Sequence, residues 1–206
     1  DVDTDPQPDG VHTKRESVAE RTSGRWDHLA RHYRTLMLPL ELLFLRRWRR
    51  RAISALPAGT SWLEVGAGPG SNTPFFPIGA RVVVSDISLA MRPAVVAEAE
   101  RLPFRDGTFG AALATLVLCN VIDDGQALTE LRRVLRAGAP LAMIEHVRPE
   151  SRIGGWLADV AERVTGGYGE HWNRRTHETV RRAGFVLDRV DNILGTLLRL
   201  IIARRP

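Results

Sequence analysis

One segment restricts this chain more than any other. Trp62-Leu63-Glu64-Val65 runs directly into Gly66-Ala67-Gly68-Pro69-Gly70, so a short apolar, β-prone run ends in three alternating glycines. A residue without a Cβ can turn the main chain sharply and let a ligand approach the backbone. The spacing narrows the choice of ligand. A dinucleotide fingerprint needs its third glycine at position 71, which is Ser71, and a phosphate-binding Walker loop needs a following Gly-Lys-Ser/Thr that is missing. What remains is a strand end shaped to hold a ligand, with an acid, Glu64, two residues ahead of the first glycine.

The rest of the chain repeats the strand-then-helix rhythm. Strand-like runs at 61–65, 81–85, 94–97, 111–117 and 141–145 alternate with helical stretches, which predicts a mostly parallel sheet covered on both faces. Asp123-Asp124-Gly125 caps an amphipathic stretch carrying Leu128, Leu131, Val134 and Leu135, and Trp156, Leu157, Val160 and Val164 mark another helix. Eight residues separate Asp86 from Val95, too few for a full crossover helix, and Pro93 limits what forms there. Runs at 186–190 and 197–203, joined through Asp191-Asn192 and Gly195, read as an antiparallel pair closing the sheet. The sum is an α/β fold with seven strands, mostly parallel, helices on both faces and an antiparallel last strand.

Ahead of the first strand, apolar residues recur at helical spacing through Leu29, Tyr33, Leu36 and Met37, then through Leu42, Leu45, Trp48 and Ile53. We expect two helices there, a cap over 25–57 on a single domain spanning 25–206. Residues 1–24 are acidic and poor in apolar groups, the makeup of a disordered tail.

Composition excludes several classes. With 44% apolar and 26% charged residues in 206, the chain has the makeup of one soluble globular domain. A single cysteine, Cys119, rules out a disulfide framework and reads as a packing residue. The longest apolar run, 36–45, is broken by Pro39 and Glu41 and is too short to cross a bilayer, and the polar start lacks a signal-peptide core, so the reading is cytoplasmic. The net charge of +5 rests almost wholly on arginine, with Lys14 the single lysine and no base-reading motif alongside, which argues against nucleic acid. Arg46-Arg47-Trp48-Arg49-Arg50-Arg51 follows Leu42-Leu43-Phe44-Leu45, so 36–51 is either an interfacial helix meeting anionic lipid or a helix with one buried stripe and a solvated cationic side. The six histidines are scattered; His28 and His32 share a helix face without an acid motif, and no metal site is expected.

With Glu64 before the glycines, Asp86 ending the second strand in Val84-Ser85-Asp86-Ile87-Ser88, and Glu98 opening Glu98-Ala99-Glu100-Arg101-Leu102-Pro103-Phe104, the chain resembles the class I S-adenosylmethionine-dependent methyltransferases. Thr115-Leu116-Val117-Leu118-Cys119-Asn120-Val121, Trp26-Asp27-His28-Leu29-Ala30-Arg31-His32-Tyr33 and Ile144-Glu145-His146-Val147 extend the likeness to most of the chain from Trp26 onward. The similarity is greatest to the small-molecule branch that includes ubiquinone/menaquinone, phosphatidylethanolamine and thiol or lipid methyltransferases. Three features depart from its pattern: Trp26 in place of tyrosine, Ala137-Gly138-Ala139 in place of Pro-Gly-Gly, and the short crossover after Asp86.

The resemblance implies a Rossmann-like fold and S-adenosyl-L-methionine as cofactor. It implies that Glu64, Gly66, Ala67, Gly68 and Gly70 form the loop beneath the cofactor, that Asp86 accepts the ribose hydroxyls with Ile87 and Met91 close by, and that Glu98 and Ala99 sit at the adenine. Thr115 and Leu116 end the fourth strand beside it, and Tyr33 with Trp26 contributes to a lid. Methyl transfer from a sulfonium is an in-line displacement that needs alignment and desolvation, and a base only where the acceptor must lose a proton. His146, ending strand five, and His171, in a loop similar to the family's Gly-Cys-His-x-x-Arg-x-Thr segment, are the catalytic candidates. Trp26, Tyr33, Trp156, Tyr168 and Trp172 could surround a cation or a quinone ring.

The acceptor is expected to be small and apolar or lipid-like, its reacting atom open between O, N, S and C, in a monomer or homodimer. Two other readings stand beside this one: a non-catalytic S-adenosylmethionine-binding module, and an NAD(P)-dependent oxidoreductase, disfavoured by Ser71 and by the lack of a Tyr-x-x-x-Lys pair.

Overall fold

The computed structural model describes residues 22–24, 26–28, 30, 32, 35, 38–39, 41–165, 171, 173–194 and 197–206. Tyr33, Tyr168, Trp172, Gly195 and most of the proposed tail lie outside them; residues 22–24, which composition placed in that tail, are helical. A π-type turn, Glu41–Leu45, leads into helix α1, Arg46–Ser54. The chain then runs β1 (Ser61–Val65), β2 (Arg81–Asp86), β3 (Val95–Val96), β4 (Ala111–Thr115), α2 (Asp124–Val134), β5 (Pro140–His146), α3 (Arg152–Thr165), α4 (Thr176–Arg182), β6 (Val186–Leu194) and β7 (Leu198–Arg204).

The seven strands form one sheet in the order β3-β2-β1-β4-β5-β7-β6. All pairings from β3 through β5 are parallel; β7 is antiparallel to both β5 and β6. The strand order reverses between β1 and β4, and their carboxyl ends therefore flank a crevice, the place where open α/β sheets bind ligands.

Strand periodicity divides the apolar side chains between two faces. Leu63, Val65, Ala112, Ala114, Met143 and Ile201 pack with Leu128, Leu131 and Val134 of α2 and with Val180 of α4. Trp62, Ala111, Leu113, Ala142, Ile144 and Ile202 pack with Leu45, Ala52 and Ile53 at α1 on the other face. Asp123 caps α2 by accepting the Gln126 N–H at 2.9 Å, as its place before the amphipathic run predicts.

Four elements differ from the sequence reading, each for a local reason. β3 shrinks to two residues, because the short crossover holds a single 3-10 turn, Leu89–Met91, ended by Arg92 at φ 57°. β4 stops at Thr115, since Leu116 turns to φ 59°. Asp191 and Asn192 lie inside β6 rather than in its turn; the strand continues to Leu194, with register shifts after Leu187 and Asn192 absorbing the irregularity. Helix α4, which the periodicity did not reveal, is one of the elements closing over β6.

Candidate active site

The carboxyl edge of β1, β2 and β4 surrounds a cavity that is partly open to solvent. Its wall includes Gly66, Ala67, Gly68, Asp86, Ile87, Met91, Glu98, Ala99, Thr115 and Leu116, ten of the residues the resemblance nominated, from four separate segments.

The glycine loop forms the floor. Gly66 and Gly68 take φ of 62° and 55°, the left-handed region that costs a side-chain-bearing residue about 1–2 kcal/mol. A Cβ on Gly66 would also lie 2.4 Å from Val117 Cγ2, whereas a Cβ on Gly68 would meet nothing within 4 Å. Gly66 is thus a packing requirement, and Gly68 leaves open space for a ligand above the main chain. The Gly68 N–H donates to Asp86 Oδ2 at 2.8 Å, and the Ser88 N–H donates to Asp86 Oδ1 at 2.9 Å. Burial raises the Asp86 pKa above the ordinary carboxylate value, opposed by these N–H donors.

Beneath the floor lies a polar chain that sequence reasoning missed. Arg49 Nη1 donates to Asn72 Oδ1 and to Thr115 Oγ1, both at 2.8 Å, and its Nε donates to Glu41 Oε2 at 2.9 Å. Asn72 Nδ2 donates to Glu64 Oε1 at 2.6 Å and to Thr115 Oγ1 at 3.0 Å. Glu64 is buried under the loop rather than on the cavity wall, its Oε2 has no hydrogen-bond partner, and desolvation pushes its pKa up to about 7. Arg49 itself reaches the wall. A signal for it was available: Leu45, Arg49, Ala52 and Ile53 share one helix stripe, so of the arginine run Arg49 alone falls in phase with the buried face.

Another part of the wall is the loop after β4, which contributes Leu116, Val117, Asn120, Val121 and Ile122 and packs Val117 against Gly66. Glu100 holds this loop from the β3 side, its Oε1 accepting the Ile122 and Asp123 N–H groups at 2.8 and 3.2 Å. Thr22 and Trp26, from the helical residues 22–24 and 26–28, also line the cavity, and Asp27 Oδ1 accepts from Ser88 Oγ and from the Ala90 N–H.

Gly70 follows the floor at φ 80° without reaching the wall. Neither histidine lines the cavity. His146 ends β5 opposite Leu198 of β7, and burial lowers its pKa to about 4. His171 instead pairs its Nδ1 with Glu162 Oε1 at 2.7 Å and donates its main-chain N–H to the Cys119 carbonyl at 2.8 Å. Cys119 is free and buried, consistent with its reading as a packing residue. Among the described residues no group of three or more His, Cys, Asp or Glu is placed to hold a metal ion.

Residues 63–143 match the family model described as "Methyltransferase domain". Over 147 residues the chain is 31% identical to a demethylmenaquinone methyltransferase of Paenarthrobacter aurescens (strain TC1), an alignment covering 65% of this chain and 58% of that protein. Over 162 residues it is 35% identical to a demethylmenaquinone methyltransferase of Streptomyces avermitilis, covering 70% of this chain and 64% of that one. The chain therefore spans about three fifths of the length of these relatives. Among solved structures, the fold is similar to a SAM-dependent methyltransferase from Thermotoga maritima, with a TM-score of 0.64, 19% identity, and coverage of 88% of this chain and 98% of that one. The alternating glycines, the acids at the ends of the next two strands and the family match agree: residues 63–143 are a methyltransferase domain, and the chain is similar in sequence and fold to the class I S-adenosylmethionine-dependent methyltransferases.

Proposed function

We propose that this protein transfers a methyl group from S-adenosyl-L-methionine to a small, apolar or lipid-like acceptor. The observation that carries the reading is the convergence of an open glycine floor at Gly68 with Asp86 and Glu98 at the ends of the neighbouring strands, all on one cavity wall. The donor set fits the cofactor's chemistry. Asp86 on the wall carries a carboxylate that can also accept from a sugar diol, and Glu98 and Ala99 stand just past the next strand for the base. Arg49 on the wall, with the buried Glu64 carboxylate beneath, offers both signs of charge to an amino-acid end. Tyr33 is part of this proposed set as a lid residue, and Gly70 as the residue that completes the turn.

When bound, the cofactor supplies an electrophilic methyl group on a cationic sulfur. The chain's own contribution is to hold it in one orientation and to exclude water. The Leu116, Val117, Val121 and Ile122 side chains give one wall an apolar surface suited to a greasy acceptor. With His146 and His171 off the wall, alignment and desolvation carry the rate, and a histidine base is not part of the geometry that supports this reading. The curated relatives cited above are named for demethylmenaquinone, and an aromatic quinol of that type is the first acceptor to test.

Peripheral contact of 36–51 with a membrane belongs to the same proposal. It is supported by Leu42, Leu43 and Phe44, exposed at 55%, 73% and 42%, directly before the exposed Arg46, Arg47 and Arg50. Among the described residues no helix is long and apolar enough to cross a membrane.

The test is methyl transfer from radiolabelled S-adenosylmethionine onto a panel of quinol, phenol, amine and thiol acceptors, with Gly68→Arg as the blocked control. Label in an acceptor with wild type and none with the variant is the expected result. Cofactor binding with no transfer to any acceptor would favour the binding-module reading, and binding of NAD(P) in its place would favour the oxidoreductase.

A further inference from the structure

The loop after β4 has little regular structure of its own, yet it forms part of the cavity wall. Buried main-chain groups must find partners, so the bonds of this loop are a record of what shapes it. Glu145 Oε1 accepts the Val117 N–H at 3.0 Å and the Leu118 N–H at 3.1 Å, and Glu145 Oε2 accepts the Cys119 N–H at 3.4 Å. From the other side Arg174 donates to the carbonyls of Leu118, Val121 and Ile122, the last two at 2.6 and 3.3 Å.

Glu145 is fully buried in β5, and no ion-pair partner for it is found among the described residues. Its oxygens are committed to three consecutive peptide N–H groups. A buried carboxylate is costly to keep, and an apolar side chain there would serve the core at least as well if packing were its whole purpose. What the carboxylate adds is a fixed main-chain course. It gathers three successive N–H groups to one point, immediately after Leu116 has turned into the left-handed region at φ 59°. Removing the acceptor would strand up to three buried donors at about 1–3 kcal/mol each, so the loop would have to move.

We propose that Glu145 is a positioning residue: touching neither cofactor nor acceptor, it sets the course of residues 117–119, and together with Arg174 on the carbonyl side it holds the acceptor-facing wall in shape. The wall itself is a feature of the fold; only its link to methyl transfer rests on the function proposed above.

Amide hydrogen exchange of the full chain, read residue by residue, tests this without any acceptor. In Glu145→Gln one oxygen remains and an NH₂ group replaces the other, facing a donor with a donor. Exchange at Val117, Leu118 and Cys119 is expected to accelerate at least tenfold, with Ala112 to Ala114 of β4 unchanged within twofold. Arg174→Gln is the second variant, acting from outside the core. It should loosen the peptides of 119–123 by at least fivefold and leave Val117 protected. In Glu145→Gln the affinity for S-adenosylhomocysteine should fall about tenfold, because Leu116 and Val117 belong to the cavity wall. Unchanged exchange at 117–119, or acceleration shared equally with β4 and β5, would overturn the proposal and leave Glu145 a core residue only. If wild type fails to bind S-adenosylhomocysteine while the local exchange pattern holds, the methyltransferase reading fails and the positioning role stands.

Discussion

The main-chain N–H of Gly68 donates to Oδ2 of Asp86 at 2.8 Å, tying the loop after β1 to the end of β2 across the cavity floor. The acid proposed for the ribose is therefore also a structural partner of the glycine loop. In Asp86→Asn the amide keeps one acceptor and sets its NH₂ against one of the two N–H donors. Equilibrium unfolding should show a loss of about 1–2 kcal/mol. Affinity for S-adenosylhomocysteine, measured by calorimetry, should drop at least tenfold, a larger effect than the stability change alone produces.

Two glycines two residues apart should respond differently to the same methyl group. At Gly66 alanine meets both a left-handed backbone and Val117 at 2.4 Å, and at Gly68 it meets the backbone cost alone. Gly68→Ala should lose about 1–2 kcal/mol of stability, and Gly66→Ala at least twice that. Thermal melts of the two variants side by side check the order.

Cofactor affinity should depend on pH through Glu64. Burial holds its pKa at about 7 in the free protein, so near pH 6 most molecules carry it neutral and near pH 8 most carry it ionised. A ligand bearing an ammonium group favours the carboxylate and must displace the proton when pH is low. S-adenosylmethionine should therefore bind about tenfold more weakly at pH 6 than at pH 8. Glu64→Gln should bind weakly at both and show no such slope. Titrations at the two pH values, corrected for the ligand's own ionisation, give the measurement.

His146 makes an opposite prediction for stability. Its folded pKa, about 4, lies below the 6.5 of an unperturbed histidine, so the unfolded chain binds the extra proton between those values. Stability from this group is complete above pH 6.5 and is lost as pH falls toward 4. Relative to His146→Asn, wild type should lose about 2–3 kcal/mol between pH 7 and pH 4.5 by denaturant unfolding. Because His146 is off the cavity wall, the variant's cofactor affinity at pH 7.5 should stay within twofold of wild type.

The parts of this molecule that were legible in its sequence are those where chemistry and local conformation coincide. β1 runs from Ser61 to Val65, as its pattern predicts, because an apolar run ending in glycines has few alternatives. Asp123 announced α2 in the same way. The end of β4 was not legible: Leu116 takes a left-handed turn that leucine ordinarily avoids, and the turn is made at the head of a loop held by Glu145, 29 residues later by number. Arg49 was hidden for a related reason. Within five arginines its burial is a matter of helical phase, and its partners Asn72 and Thr115 come from other elements. The two histidines were picked out by their place at and after strand five, a pattern similar to the family's; the structure puts His146 at the β5–β7 pairing and His171 against Glu162, and neither lines the cavity.

Calorimetric titration of S-adenosylhomocysteine into wild type and Gly68→Arg is the most direct check on the central claim. A side chain at Gly68 would project into open space above the cavity floor, and a guanidinium there should occupy the ligand's place without disturbing the sheet. We expect one saturable site per chain in wild type and at least a hundredfold weaker binding in the variant, with the variant still cooperatively folded. No heat of binding in wild type, or equal affinity in both proteins, would contradict the account.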